Sequence, residues 1–300
     1  MIVLARNEQC EIREIQKVQL EILLDFDRIC KKHNIKYQLF AGTLLGAIRH
    51  NGFIPWDDDI DLCLTRDEYN KFIEISKQEL NKEYFLQTYD TDRYYYKQLA
   101  RIRKNNTLML QDLYSGLDMH HGICISLMPL DNVVPGTLKG DFHRILYQLL
   151  LNIFSRINDT RSLDSCKKRT GFKKNAKILL HYIFKIIPKK KTDSFHTKIA
   201  CMFNNKETQY ITHLTNGATK KRYYAYMMKR EEFYDVIEGD FEGYKFPIPR
   251  NYHYLLSNLY GDYMKLPPEE KQKPHHGVVK ISFNNNLDDS EKNIDREEIK

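Results

Sequence analysis

The stretch at residues 40–64 constrains the fold of this chain more than any other part, and it reads FAGTLLGAIRHNGFIPWDDDIDLCL. Four aspartates, Asp57, Asp58, Asp59 and Asp61, fall within five positions of one another. From residue 59 onward, polar and apolar residues alternate with a period of two, which is typical of a β-strand. Two carboxylates would therefore project from the same face of a strand, about 6–7 Å apart.

This spacing predicts a metal site. Carboxylates held so close repel one another and are costly to remove from water. A hard cation that prefers oxygen ligands relieves that cost, and Mg²⁺ fits best, with Mn²⁺ as the second choice. An aspartate-rich tripeptide alone would equally suit an exposed turn, but the alternation favours a strand with one carboxylate face. We predict that Asp59 and Asp61 are metal ligands and that Asp58 takes part in catalysis, capping the strand entry or acting as a base.

A glycine turn precedes the aspartates by seventeen residues. Gly42-Thr43 follows the apolar pair Leu39-Phe40, and a strand, turn and short helix here would offer backbone N–H groups and a hydroxyl to a phosphate. Arg49 on the same helix is either a bidentate phosphate contact or a surface charge. Trp56, the single tryptophan, either stacks on a base or a choline-like cation or packs beneath the loop.

The segment GTLLGAIRHNGFIPWDDDIDL closely resembles the signature of the LicD family, which is related to the fukutin group within the nucleotidyltransferase-fold superfamily. Two further stretches are similar to the family, HHGICISLMPLDNV and the tail FEGYKFPIPRNYHYLLSNLYGDYMKLPPEEKQKPHH, so the resemblance runs from about residue 15 to 280. It implies an α/β (α+β) fold, a nucleotidyltransferase-like mixed sheet flanked by helices. It also implies a phosphotransferase that moves a phospho-alcohol, with phosphocholine as the best guess, from a CDP-activated donor. The acceptor would be a sugar hydroxyl of a cell-surface glycan precursor, which is often lipid-linked, as in lipopolysaccharide, teichoic acid or capsule.

One position departs from the family pattern. Ser126 stands where the pattern usually has the aspartate that supplies a third metal carboxylate. A hydroxyl is a poorer Mg²⁺ ligand than a carboxylate and adds no negative charge. Either Asp131 or Asp118 substitutes for it, or metal affinity falls, or the protein is a catalytically impaired nucleotide-binding protein. A nucleotidyltransferase that moves the nucleotide itself is a further alternative.

Other polar residues are weaker candidates for the site. Arg103, with Arg101, alternates on a predicted strand and either neutralises phosphate or forms a solvated edge. The pairs His120-His121 and His275-His276 suit acid–base or metal chemistry, or purely structural roles. The sequence names neither the head group nor the acceptor sugar.

Charge is concentrated in one segment. The chain carries a net charge of +7, whereas residues 139–200 alone hold fifteen lysines and arginines against four acidic residues. Apolar runs at 145–154 and 178–187 predict two helices there. These would contact an anionic membrane surface or simply pack on the main domain. No nucleic-acid-binding motif is present. The six cysteines form no C-x-x-C pair, and no apolar run is long enough for a signal peptide or a membrane span, which predicts a cytoplasmic protein, peripheral at most on the inner membrane face.

Four regions are predicted along the chain. These are a nucleotidyltransferase-like core at 1–137, a basic helical insertion at 138–205, the C-terminal part of the same catalytic domain at 206–283, and a polar tail at 284–300. The periodicity predicts helices at 9–33, 44–50, 66–79 and 252–260, and strands at 36–40, 59–64, 84–89, 97–103, 122–128 and 241–247.

Overall fold

The structure, a computed structural model, describes residues 2–158, 189–214, 219–274 and 276–283. The helices are α1 (Ile2–His33), α2 (Ala41–His50), α3 (Arg66–Glu79), α4 (Leu138–Asn158), α5 (Lys189–Ala200), α6 (Lys220–Ala225), α7 (Arg230–Tyr234) and α8 (Tyr252–Tyr260). The strands are β1 (Gln38–Leu39), β2 (Asp61–Thr65), β3 (Tyr84–Gln87), β4 (Ala100–Lys104), β5 (Leu108–Gln111), β6 (Cys124–Val133), β7 (Tyr210–Thr212), β8 (Met228–Lys229), β9 (Val236–Phe241), β10 (Tyr244–Pro249) and β11 (Val278–Ser282).

A mixed sheet lies at the centre of the fold. Its strands run in the order β1-β2-β6-β4-β3, and β7 and β8 extend it from the far end of β6. Only β2 and β6 are parallel, and every other neighbouring pair in this sheet is antiparallel. Two small antiparallel ribbons, β9 with β10 and β5 with β11, stand beside it. The predicted mixed α/β class is confirmed.

The main core forms between this sheet and α1. Helix α1 buries Ile22, Leu23, Phe26 and Ile29 at the spacing of one helical face. On the sheet side it meets the apolar residues of β2, β4 and β6. Because a helix that covers a sheet needs a continuous apolar stripe, the periodicity of residues 9–33 was a reliable signal.

Strand β6 is longer than predicted. We expected Pro129 to end it, but the strand continues to Val133, so that prediction was wrong. Pairing with β4 ends at Leu127 and pairing with β7 begins at Asp131, and Pro129 falls between them. Pro129 has no N–H, but on the side of β6 that pairs with β4 and β7 no ladder hydrogen bond is lost. The Pro129 carbonyl lies 3.1 Å from Nδ1 of His213.

The local signals at helix ends place two elements well. Helix α3 begins after Thr65, an N-cap whose side chain accepts a hydrogen bond from the backbone N–H of Glu68. Helix α2 starts at Ala41, earlier than expected, and ends at His50 as predicted; the next residue, Asn51, takes a left-handed conformation that is common after a helix end. The hairpin β9–β10 turns through Glu242 and Gly243, both with positive φ, as a tight two-residue turn requires.

The basic segment contributes two described helices. Helix α4 packs against α5, and the pair encloses a small apolar cluster that includes Tyr147 and Ala200. The predicted helix at 178–187 and the tail at 284–300 lie outside the described residues. The division of the chain into four regions stays a prediction. In the part of the chain that the structure describes, no helix is both long and apolar enough to cross a membrane.

Candidate active site

A cleft of about 400 Å³ opens where β2, β6 and β4 meet the ribbon of β5 and β11. Asp59 and Asp61 line it, together with Arg101, Ser126 and His276. Because β2 runs parallel to β6 and β6 antiparallel to β4, residues far apart in sequence reach one face of the sheet here. The cleft thus contains both predicted metal ligands and Ser126, the position that departs from the family pattern.

Helix α1 holds the aspartate loop in place. Gln16 donates from Nε2 to the carbonyl of Asp57 at 2.9 Å, and Gln19 donates from Nε2 to the carbonyl of Asp58 at 2.8 Å. Both glutamines are almost fully buried on a helix face that is otherwise apolar. Two buried amides that satisfy loop carbonyls give the loop one conformation. Polar residues inside the apolar stripe of α1 were the sequence signal for this role, and the sequence reasoning missed it.

The glycine turn contacts the aspartates rather than standing apart from them. The Thr43 hydroxyl accepts a hydrogen bond from the backbone N–H of Asp61 at 2.8 Å. A Cβ built on Gly42 would lie 2.7 Å from Oδ2 of Asp57, so only glycine permits this approach. The described contacts therefore make Gly42 and Thr43 supports of the carboxylate cluster, and their predicted contact with phosphate stays a prediction.

His276 binds two of the aspartates. Its Nδ1 lies 2.8 Å from Oδ1 of Asp58, and its Nε2 lies 3.4 Å from Oδ2 of Asp59. Burial by itself lowers the pKa of His276, but the hydrogen bond to Asp58 and the charges of Asp59 and Asp58 outweigh it and raise the pKa to about 10. The imidazole is therefore positively charged at neutral pH. The sequence left this histidine open, because it reaches the cluster only through the pairing of β11 with β5.

Burial and electrostatic repulsion together raise the pKa values of two carboxylates in the cluster. Burial, followed by the charges of Asp59 and Asp61, raises the pKa of Asp57 to about 9. Burial and the charge of Asp59 likewise raise the pKa of Asp61 well above its ordinary value, against the opposing charges of His276 and Arg101. An acid whose pKa is raised in the folded state favours the neutral form, so the ionised cluster is destabilising unless positive charge joins it.

The donor set suits a magnesium ion that shares its ligands with a substrate. Oδ2 of Asp58 is buried and has no hydrogen-bond partner among the described residues. No three His, Cys, Asp or Glu side chains in the described part of the chain form a ready-made metal site. Mg²⁺ commonly takes only one or two carboxylates and completes its shell with water and phosphate oxygens. Asp59 and Asp61 fit that mode of binding.

Neither substitute for the third carboxylate reaches the cluster. Asp131 lies five positions beyond Ser126 on β6 and so faces the other side of the sheet. There it accepts two hydrogen bonds from Arg66, at 2.8 and 2.7 Å, and one from Asn204. Asp118 is exposed in the loop before His120 and does not line the cleft. The structure corrects both expectations.

Three predicted substrate contacts are also placed elsewhere. Arg49 is near the C-terminal end of α2, seven residues or about 10 Å from Gly42, and donates to the carbonyl of Tyr263 at 2.8 Å. Arg103 is buried and donates to Oε1 of Gln87 and to the carbonyl of Gly122. Trp56 packs against the main core and stands edge-on to His50, and it does not line the cleft.

The C-terminal signature reaches the site through one tyrosine. Tyr260 ends α8, and Gly261 follows it with a positive φ. Burial of the hydroxyl, then the charges of Tyr226 and Asp61, raise the pKa of Tyr260 well above its ordinary value. Tyr260 therefore lies near the aspartates, but it does not line the cleft.

Fold and site together define a mixed α/β protein whose cleft sets carboxylates against an arginine, an arrangement suited to phosphorylated ligands and a divalent cation. The profile described as "LicD/FKTN/FKRP, nucleotidyltransferase domain" matches residues 34–115. The chain is 37% identical over 275 residues to the lipopolysaccharide cholinephosphotransferase LicD of Haemophilus influenzae, which covers 88% of this chain and 96% of that protein.

Two shorter similarities were also found. An uncharacterised protein of Rickettsia typhi is 41% identical over 75 residues, or 25% of this chain and 24% of that protein. An uncharacterised protein of Rickettsia prowazekii is 44% identical over 48 residues, or 16% and 18%. On the long match, the chain belongs to the LicD family, and the resemblance found in the sequence is confirmed.

Proposed function

We propose that this protein transfers phosphocholine from a CDP-activated donor to a sugar hydroxyl of a cell-surface glycan precursor, with Mg²⁺ as the metal. The observation that carries the proposal is the pair Asp59 and Asp61 in a cleft that also contains Arg101, in a chain similar over most of its length to a cholinephosphotransferase. That relative acts on lipopolysaccharide, which makes a lipid-anchored glycan the first acceptor to test.

The chemistry is a displacement at phosphorus. An acceptor oxygen forms a bond to the phosphorus that carries choline, and the bond from that phosphorus to the bridging oxygen breaks, so that CMP leaves with the bonding electron pair. The acceptor hydroxyl loses its proton to a base. Such reactions depend on positioning and on neutralising charge rather than on covalent chemistry by the protein.

The residues of the cleft divide this work. Asp59 and Asp61 would hold Mg²⁺, which would supply positive charge at the donor phosphates. Asp58 keeps His276 in place, and the imidazolium holds Asp59 in turn. Thr43 fixes the backbone of Asp61. Asp57 adjoins Asp59 and is the candidate base; its raised pKa favours the neutral form, so this role depends on the positive charge that Mg²⁺ would add.

One assay separates this function from its alternatives. The protein is incubated with CDP-choline, Mg²⁺ and lipopolysaccharide, with CDP-glycerol and CTP as comparators. CMP release with phosphocholine on the glycan is the expected result. Pyrophosphate release from CTP would instead indicate transfer of the nucleotide itself. Release of neither product would favour the reading of Ser126 as the mark of a catalytically impaired protein.

The helical pair α4–α5 is suited to a membrane surface, where a lipid-anchored acceptor would reside. Leu138, Phe142, Ile145 and Leu149 recur at helical spacing on α4, and each is more than half exposed. Lys139 on α4, with Lys191 and Lys198 on α5, is also exposed and adds positive charge near the stripe. An apolar stripe flanked by lysines is typical of helices that lie on anionic membranes, and we propose such a membrane as the partner.

A further inference from the structure

Three strands place a row of unlike side chains across the floor of the cleft. Asp61 on β2 is in register with Ser126 on β6, and Ser126 is in register with Arg101 on β4. All three line the cleft. Neighbouring strands are about 4.8 Å apart, so the backbones of Asp61 and Arg101 lie about 10 Å apart with Ser126 between them. The row therefore changes from negative through neutral to positive over about 10 Å.

Arg101 is buried, and two of its three guanidinium nitrogens have no hydrogen-bond partner among the described residues. The residue is 8% exposed, yet its Nε and Nη1 have no hydrogen-bond partner among the described residues. Its guanidinium carbon lies 5.5 Å from the ring centroid of Tyr114 and 5.9 Å from that of Tyr95. These rings hold the guanidinium by cation–π contact and use none of its N–H groups. Unmet buried donors are costly, and an anionic ligand would satisfy them.

The serine is what leaves Arg101 available. Side chains directly opposite on antiparallel strands have Cβ atoms about 4.5–5.5 Å apart, and opposite charges there attract. A carboxylate at position 126 would stand opposite Arg101 and compete for its guanidinium. Serine carries no charge, so the positive charge of Arg101 faces the cleft. Arg103, two positions along the same strand, cannot take this role because Gln87 and Gly122 already accept its hydrogen bonds.

We propose that Arg101, left uncompensated by the serine at position 126, binds a phosphate oxygen of the nucleotide donor from the side opposite Asp59 and Asp61. The identity of the ligand rests on the proposed function; the existence of an anion site does not. A guanidinium presents parallel N–H groups that match two phosphate oxygens, which a point charge does not. Lys97 also lines the cleft and adds a second, weaker positive charge.

The test is calorimetric titration of the full chain in saturating Mg²⁺ with CDP, inorganic pyrophosphate and a phosphorylated sugar. Arg101→Gln is expected to weaken CDP and pyrophosphate binding by roughly 10- to 100-fold, the loss typical of a charged hydrogen-bonding partner. Arg101→Lys keeps the charge and loses the planar fork, so a smaller loss is expected. Lys97→Gln is the matched control for removing a positive charge from the cleft, and its effect is expected to be smaller than that of Arg101→Gln.

Ser126→Asp gives a second, independent variant. It leaves Arg101 and its two tyrosines in place but supplies a competing carboxylate, and it is expected to weaken CDP binding by a factor similar to that of Arg101→Gln. Thermal unfolding of each variant checks the fold, so a misfolded Arg101→Gln protein would leave Ser126→Asp to decide. Unchanged CDP affinity in a folded Arg101→Gln variant would overturn the inference. If Arg101→Gln misfolds, unchanged CDP affinity in Ser126→Asp would overturn it instead. Tighter CDP binding in Ser126→Asp would overturn it in either case.

The outcomes separate this inference from the proposed function. Binding needs no turnover, so Arg101-dependent binding of CDP in a protein that releases no CMP from CDP-choline would support the anion site and refute the transfer. CMP release from CDP-choline, together with CDP binding that is unchanged in Arg101→Gln, would support the transfer and refute the anion site. If Arg101→Gln loses affinity for the phosphorylated sugar alone, the anion belongs to the acceptor and the donor assignment is overturned.

Discussion

Asp61→Asn is expected to abolish transfer while making the metal-free protein more stable. In extended backbone, residues two positions apart place their carboxylates about 6–7 Å apart. At an effective dielectric constant of about 20, two unit charges at that distance repel by about 2–3 kcal/mol. Asp59 and Asp61 are both partly exposed, so solvent screening reduces this to about 1–2 kcal/mol. Among the described residues the Asp61 carboxylate accepts no hydrogen bond that would be lost, and the bond from its backbone N–H to Thr43 remains.

Thermal unfolding in EDTA measures this gain. With an unfolding entropy of about 2.1 cal/mol/K per residue, the 300-residue chain should gain about 2–3 °C in Tm. Added Mg²⁺ should raise the Tm of the wild type, because the cation relieves the same repulsion, and should raise that of Asp61→Asn less. CMP release should fall by roughly a hundredfold or more, since charge neutralisation by a metal is worth several kcal/mol.

The control is Asp118→Asn, which removes an exposed carboxylate that does not line the cleft and should change neither Tm nor activity. If Asp61→Asn is less stable than the wild type in EDTA, the Asp61 carboxylate stabilises the folded state, which contradicts the repulsion argument. An Asp61→Asn enzyme with retained turnover would refute the metal assignment outright.

Three further changes test other parts of the structure. Arg66→Met should cost about 3–5 kcal/mol in urea unfolding, because it leaves the carboxylate of Asp131 buried and unpaired; a cost under 1 kcal/mol would contradict this. Burial alone would raise the pKa of Asp131, but the Arg66 guanidinium outweighs it and holds that pKa below its ordinary value. In the wild type, the stabilisation from this ion pair is therefore complete above the unfolded-state pKa of about 4 and is lost as the pH falls through the lower folded-state pKa. Gly42→Ala should displace Asp57 and lower kcat with little change in Tm, because the clashing atom is the end of a side chain that can move; an unchanged kcat would show that the position of Asp57 does not matter. Phe142→Ser should reduce sedimentation with anionic vesicles, since it removes an exposed apolar anchor; equal sedimentation of the variant and the wild type would refute the membrane contact.

Local patterns were enough to predict helix α3 and to place Asp59 and Asp61 on one side of the acidic segment. Helix α3 begins and ends as predicted because its cap, its first-turn acids and its apolar spacing all lie within fourteen residues. Asp59 and Asp61 line the same cleft because side chains two positions apart in extended backbone project from the same face. In both cases the evidence is contained in a few consecutive residues.

The errors arose where the answer depended on distant pairing. Arg101 and Arg103 look alike in sequence, but the register of β4 with β6 puts one opposite Ser126 and the other opposite Cys124. Asp131 was a candidate ligand, and the strand that contains Ser126 was predicted to end at residue 128. Had the strand been continued, the odd spacing from Ser126 would have placed Asp131 on the opposite face.

Charge order across the sheet decides which ligand the cleft can accept. Two carboxylates alone would attract a cation and repel a nucleotide, and an arginine alone would bind any anion. Asp61 and Arg101 in one cleft favour a ligand that carries both negative and positive charge, such as a diphosphate with its divalent cation. A neutral residue between them prevents the two from cancelling each other. In this chain that residue is Ser126, so the departure from the family pattern is better understood as part of the ligand's binding site than as the loss of one.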